Sequence, residues 1–372
     1  MALRRRPRQL VSLGAVASLL GIGMAAIGLG ESAGAAPAST VTAPATARVY
    51  YFTRGADRIG YRLDYKASPG QRNDLTVTSE KSGGGKTFTY TYDDIVEISA
   101  GPGCAYPDAT DHTRVTCTID DYDANLYRDE PISYTVTRLY DQDDTVTFSN
   151  PAGTRVINQF VLGNGNDTLR TKSSDLYFAT TVWGGPGEDI ITGHNGPILE
   201  GGEGNDVVRA IGKGTSASGN EGDDTITGGV GAQVLRGDAG NDVIHGGSGN
   251  DSVYGDEGNN KLYGDAGNDI VMGGNGKDLV YGGAGNDGVL GEGGNDKVYG
   301  GAGNDRLSGS SGNDVLYGDA GDDRLEGGIA SDKLYGNSGV DKLFGQAGND
   351  WLYGGLGKDV LNGGAGKNTL KN

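Results

Sequence analysis

Residues 219–371 repeat one nine-residue unit without a slip, as in GGAGNDRLS (300–308) and GGLGKDVLN (354–362). Position 1 is Gly in every unit. Position 6 is Asp at Asp224, Asp242, Asp251, Asp269, Asp278, Asp287, Asp296, Asp305, Asp314, Asp323, Asp332, Asp341, Asp350 and Asp359. Position 8 is always Ile, Val or Leu, from Ile226 to Leu370. Glycine at positions 1, 2 and 4, or Asp and Asn at position 2, tolerates positive φ, so the first six residues can turn tightly. The last three, such as Lys333-Leu334-Tyr335, suit a short strand whose side chains alternate. Position 8 then faces inward, and positions 7 and 9 face outward.

One turn and one strand make half a coil, so two units should close a coil of eighteen residues. The spacing of tyrosine tests this. Position 9 is Tyr at 263, 281, 299, 317, 335 and 353, whereas the intervening units carry Met272, Leu290, Ser308, Glu326 and Phe344. A two-unit coil puts every tyrosine in one column on one sheet; a nine-residue coil does not. The stack is expected to stabilise the sheet by cross-strand packing. As an exposed aromatic stripe it is also a candidate surface for an extracellular glycan or protein.

Each unit buries a single aliphatic side chain, which does not by itself offset the entropy of ordering nine Gly-rich residues. Stacked aspartates add like-charge repulsion. A hard divalent cation reverses that repulsion, and Ca²⁺ accepts carboxylate and carbonyl oxygens together in flexible geometry. Mg²⁺ suits such a site less well, because it demands stricter octahedra and keeps its water.

In fold and motif the run resembles the RTX (repeats-in-toxin) family, whose nonapeptide binds calcium. The resemblance implies an all-β chain: a parallel β-roll, or β-solenoid, with ions between like turns of successive coils. The position-6 aspartates and turn carbonyls would supply the ligands. On one edge these positions run Asp206, Asp224, Asp242, Asn260, Asp278, Asp296, Asp314, Asp332, Asp350 and Asn368, with Asp189 preceding them. On the other edge they run Thr215, Gln233, Asp251, Asp269, Asp287, Asp305, Asp323, Asp341 and Asp359. The second edge has no carboxylate before Asp251, so few or no ions are expected there earlier. Asn260 interrupts the first edge with a neutral ligand. Ala330 replaces the position-4 Gly and puts its turn in question. Without a metal, the same aspartates would serve as turn caps.

Residues 1–38 read as a secretory signal, with a retained membrane anchor as the alternative that the length of the apolar run allows. Arg4, Arg5, Arg6 and Arg8 precede an apolar run over 10–30, and small residues at 33–38 offer cleavage sites. No other stretch is apolar enough to span a membrane. The full chain carries a net charge of −18; losing residues 1–35 removes four Arg and one Glu and leaves about −21. Such acidity argues against a nucleic-acid partner and fits a protein loaded with cations. Residues 39–47 read as a Pro/Ala/Thr linker. Period-two strand signals follow over 48–130, for example Tyr61-Leu63-Tyr65 and Phe88-Tyr90-Tyr92, and suggest a β-rich N-terminal cap. Cys104 and Cys117, the only cysteines, are expected to form a disulfide in a secreted protein. Residues 131–200 read as irregular early coils with a spacing near 22, from Asp143-Asp144-Thr145 to Asn166-Asp167-Thr168 and Glu188-Asp189-Ile190. Residues 201–372 are the β-roll proper.

Neither H-E-x-x-H nor G-x-S-x-G is present, so the metalloprotease and lipase chemistries are unsupported. Gly83-Gly84-Gly85-Lys86-Thr87 lacks the first glycine of a phosphate loop and suits a hairpin tip. Asp121-Tyr122-Asp123 opens like an EF-hand, but Leu126 and Ile132 occupy its Gly and Glu positions. The chain therefore reads as a secreted, non-catalytic calcium-binding protein with a structural, adhesive or surface role. Calcium is scarce in cytosol and plentiful outside, so folding would follow export. The competing reading is a carbohydrate-active module with a groove on the early coils. Asp143, Asp144, Asp167 and Arg170 separate the two: convergence in one groove favours catalysis, and stacking along a turn edge favours calcium.

Overall fold

The computed structural model describes residues 44–54, 57–82, 87–94, 96, 98–120, 133–149, 156–172 and 180–372. The signal segment, the glycine-rich tip at 83–86 and the acidic loop at 121–125 lie outside the described residues. No helix occurs among the described residues, and the strands form a parallel β-solenoid. Strands alternate between two sheets, each pairing with the strand one full coil away. In one sheet Lys297–Ala302 lies between Leu279–Ala284 and Val315–Ala320. In the other, Arg306–Ser311 lies between Gly288–Gly294 and Arg324–Ile329. The tyrosines register directly, Tyr281 on Tyr299 and Tyr299 on Tyr317, as a two-unit coil requires. Between the sheets, position-8 residues such as Leu262, Val271, Val280 and Val289 form a fully buried core.

The coil is wider at the N-terminal end. Equivalent aspartates are 23 residues apart from Asp144 to Asp167, 22 from Asp167 to Asp189, 17 from Asp189 to Asp206, and 18 thereafter. Larger side chains fill the wider section: the Phe148 and Phe160 rings meet at 5.3 Å, and Leu139 and Leu162 are buried beside them.

Antiparallel strands close that end. Ala45–Arg54 pairs with Asp57–Lys66, which adds in parallel to Ser133–Arg138. In the second sheet Thr87–Asp93 lies between Asp74–Ser82 and Arg114–Asp120, and Asp74–Ser82 joins Thr145–Ser149 in parallel. The first strand begins at Ala45, inside the stretch read from composition as linker. Ala45, Ala47 and Val49 are buried while Arg48 is exposed, so small alternating side chains suffice against the closely packed neighbours. Stacked Tyr65 and Tyr92, 5.2 Å apart, fill the core here, and the Tyr65 hydroxyl donates to Asp94 Oδ2 (2.5 Å).

Cys104 and Cys117 face each other across an antiparallel pair and form a disulfide, S–S 2.07 Å, with a sequence separation of 13. Replacing both with Ser should lower the unfolding free energy of this segment by about 3 kcal/mol. The check is its denaturant midpoint in the calcium-loaded protein; an unchanged midpoint would mean that strand pairing alone holds it.

Candidate metal centre: the two turn edges

Each turn edge carries a hydrogen-bond ladder made by position 6. The backbone N–H of Asp206 donates to Asp224 Oδ1 (2.7 Å), Asp224 to Asp242 (2.8 Å), Asp278 to Asp296 (2.9 Å), Asp296 to Asp314 (2.8 Å) and Asp332 to Asp350 (3.0 Å). The second edge repeats the pattern from Asp251 to Asp269 (2.8 Å), Asp287 to Asp305 (2.8 Å), Asp323 to Asp341 (2.9 Å) and Asp341 to Asp359 (3.0 Å). Position 5 runs a ladder in the opposite direction: Asn259 N–H donates to Asn241 Oδ1 (2.9 Å), and Asn304 N–H to Asn286 Oδ1 (2.7 Å). Together the ladders satisfy turn amides that a strand pairing would otherwise supply.

The other carboxylate oxygen has no such partner. Oδ2 of every position-6 Asp from Asp189 to Asp359 is buried without a hydrogen bond. Its neighbour is another acceptor. A β-carbon built on Gly273 would lie 2.6 Å from both Asp278 Oδ2 and the Gly291 carbonyl oxygen. At Gly300 the corresponding distances are 2.5 Å to Asp305 Oδ2 and 2.7 Å to the Gly318 carbonyl. A buried carboxylate oxygen beside a buried carbonyl, with no donor between them, is costly unless a cation joins them.

This arrangement corrects one expectation. Position 1 is not glycine for the sake of positive φ: positive φ falls on positions 2 and 4, such as Gly274 (105°) and Gly276 (138°), and not on Gly273. Position 1 is glycine because a side chain would fill the space shared by Oδ2 and the next coil's carbonyl. Where position 6 is Thr215, with no carboxylate, position 1 is Ala210. Ala330 takes φ 86° and keeps its turn.

Burial is the first cause of raised carboxyl pKa values along both edges. It pushes Asp189, Asp224, Asp269, Asp323 and Asp332 up to about 7. Asp206, Asp242, Asp278, Asp305 and Asp314 rise to about 6. Asp251, Asp287, Asp296 and Asp341 shift in the same direction. The backbone N–H at Oδ1 opposes the shift, and neighbouring aspartates add to it in several coils. Among the described residues no three His, Cys, Asp or Glu side chains converge as a metal cluster. The carboxylates are strung singly, so an ion here would draw the rest of its shell from turn carbonyls. All-oxygen donors of that kind suit Ca²⁺.

Asp144 and Asp167 were left out of the ligand set read from the sequence, yet both continue the ladder. Asp144 N–H donates to Asp167 Oδ1 (2.7 Å) and Asp167 N–H to Asp189 Oδ1 (2.7 Å), while Asn73 N–H heads it at Asp144 Oδ1 (2.6 Å). The D-D-T and N-D-T strings were the signal for these two; nothing local marked Asn73. Leu139 and Leu162 stand where later coils have the position-1 Gly, so the wide coils share the ladder but not the glycine space. Asp143 Oδ1 accepts from Asn166 N–H (2.9 Å) in the position-5 ladder, and Arg170 is exposed on a strand. These four residues lie along the coil rather than in one groove.

The tyrosine column is a stack of faces. Ring centroids are 4.8–4.9 Å apart and nearly parallel from Tyr263 to Tyr335, and Tyr353 ends the column edge-on at 6.5 Å. His245 extends it by one ring at 4.2 Å, which the tyrosine spacing did not reveal. Each inner ring spends both faces on its neighbours, so the stripe offers edges and hydroxyls outward. That favours packing over a platform for stacking sugars.

The family model of the RTX calcium-binding nonapeptide repeat matches residues 179–196, 198–210, 216–244, 227–262, 263–298, 299–334 and 335–370, together half of the chain. No curated protein gave a match to the sequence.

Proposed function

The chain belongs to the RTX calcium-binding nonapeptide repeat family, and from that premise we propose that binding calcium along both turn edges is its biochemical activity and drives folding of the roll outside the cell. The observation that carries this reading is the row of buried, unpartnered Asp Oδ2 atoms beside position-1 carbonyls. When bound, the ion supplies the positive charge these paired oxygens lack. Asp189, Asp206, Asp224, Asp242, Asp278, Asp296, Asp314, Asp332 and Asp350 would hold ions on the first edge. Asp251, Asp269, Asp287, Asp305, Asp323, Asp341 and Asp359 would hold them on the second.

In this reading residues 48–130 cap the solenoid, because repeat arrays need a covered end. Residues 131–200 are the wide coils that join the cap to the roll over 201–372. The disulfide fits an oxidising compartment and the signal-like residues 1–38 fit export. The role is structural or surface-associated and not catalytic.

The test is a calcium titration of the full chain in chelated buffer, followed by far-UV circular dichroism. We expect a cooperative gain of β-structure with Ca²⁺ and little with Mg²⁺. A chain that is fully β-folded in excess chelator at neutral pH would sink the proposal that calcium drives folding.

A further inference from the structure

One coil lacks the position-6 carboxylate in the middle of an otherwise continuous edge, where Asn260 puts a buried primary amide in its place; on the second edge Gln233 precedes the first carboxylate, Asp251. Gln233 and Asn260 are 3 % and 2 % exposed. Asn260 Oδ1 keeps its place in the ladder, accepting from Asp242 N–H (2.9 Å), and this fixes which way the amide points. Its Nδ2 lies where aspartate would put Oδ2, next to the position-1 glycine Gly255, and donates to the Gly273 carbonyl (3.4 Å). In neighbouring coils that same carbonyl position lies beside a carboxylate oxygen, as at Asp278 and Gly291. Gln233 does not repeat this: its Nε2 donates to the position-3 carbonyls of Gly212 (2.6 Å) and Val230 (3.1 Å), while its Oε1, buried without a hydrogen bond, is the atom near the position-1 glycine Gly228.

We infer that Asn260 is an internal stand-in for a cation. It brings an N–H donor to the position-1 carbonyl that in the aspartate coils lies beside a bare carboxylate oxygen, and thereby satisfies its coil without metal. This differs from the sequence reading of Asn260 as a neutral ligand: its nitrogen occupies the ion's side of the carbonyl and has no lone pair to offer. The ion column on the first edge is therefore interrupted between Asp242 and Asp278, and that on the second begins at Asp251. Asn368 ends the first edge with another amide, whose Nδ2 donates to the Gly364 carbonyl of its own turn (3.3 Å). Asn260 thereby lowers the number of ions the chain holds and divides the first edge into two metal-dependent segments.

The inference rests on the calcium reading above, and native mass spectrometry of the calcium-loaded full chain separates the two. Asn260→Asp restores a carboxylate to the gap and should bind one more Ca²⁺ per chain than wild type. Asp296→Asn installs the amide in a loaded coil and should bind at least one fewer. A folded Asn260→Asp variant with an unchanged ion count, alongside a calcium-loaded wild type, would overturn the stand-in role alone. An unchanged count in folded Asp296→Asn would do the same. A wild type that binds no calcium would overturn the proposed function and this inference with it.

Discussion

Acidifying the metal-free protein should restore the fold that chelation removes. In excess chelator at about pH 7.5 the roll is expected to lose its β signal, and lowering the same sample to about pH 5 should bring much of it back. The direction follows from the edge carboxyls. In the folded roll several titrate near 6 or 7 because burial penalises the charged form, whereas an unfolded Asp titrates at about 3.9. A folded pKa above the unfolded one means that the folded state binds more protons in between. Its contribution to stability is full below about pH 4 and is lost as pH rises through about 6–7. A protonated Oδ2 is also a donor, and it lies beside a position-1 carbonyl oxygen. Calcium works in the opposite direction, since it requires the ionised carboxylate. The calcium midpoint at pH 6 should therefore lie above that at pH 7.5. Far-UV circular dichroism in chelator across this range is the check. A salt control excludes relief of net charge as the cause, because salt screens repulsion without protonating the turns. No β gain on acidification would mean that the buried carboxyls do not control the metal-free state.

Gly273→Ala should destabilise the roll, and Gly288→Ala should be among the most harmless methyl additions in it. A β-carbon at Gly273 falls 2.6 Å from both Asp278 Oδ2 and the Gly291 carbonyl, so one of two buried oxygens must move. The overpacking costs about 1–3 kcal/mol, and displacement of either oxygen weakens the adjoining ion site. Gly288 sits at the outward position 7 of the strand Gly288–Gly294, where the nearest atom to an added β-carbon is the Asp269 carbonyl oxygen at 3.9 Å. Alanine there should be neutral or stabilise by about 0.5–1 kcal/mol, since glycine is a poor strand residue. Thermal unfolding at fixed calcium, with a stoichiometry measurement on each variant, distinguishes the two. Equal midpoints would mean that the position-1 glycines are required for something other than the carboxylate–carbonyl space.

Ala210 argues the same point from within the chain. It is a position-1 residue with a β-carbon, and its coil has Thr215 in place of Asp. The pairing of glycine with aspartate five residues on reflects shared space, which a reading by backbone freedom alone attributes to the wrong cause.

Period, composition and the tyrosine spacing were enough to determine the solenoid, the eighteen-residue coil, the inward column at position 8 and the two rows of aspartate. Those properties follow from local turn and strand geometry repeated at constant spacing, so a single unit contains them. The cysteine pair was legible for a similar reason, as the only two thiols in the chain. Tertiary structure alone decided the rest. It showed which carboxylate oxygen is spent on a backbone N–H and which is left bare. It placed Asp144, Asp167 and Asn73 on the same edge although their coils are wider and lack the repeat. It assigned Ala45 to a strand, and it turned Asn260 and Gln233 from substitutions into donors. Each of these depends on what the next coil places against a residue, and neighbours a coil away carry no mark in a unit of nine.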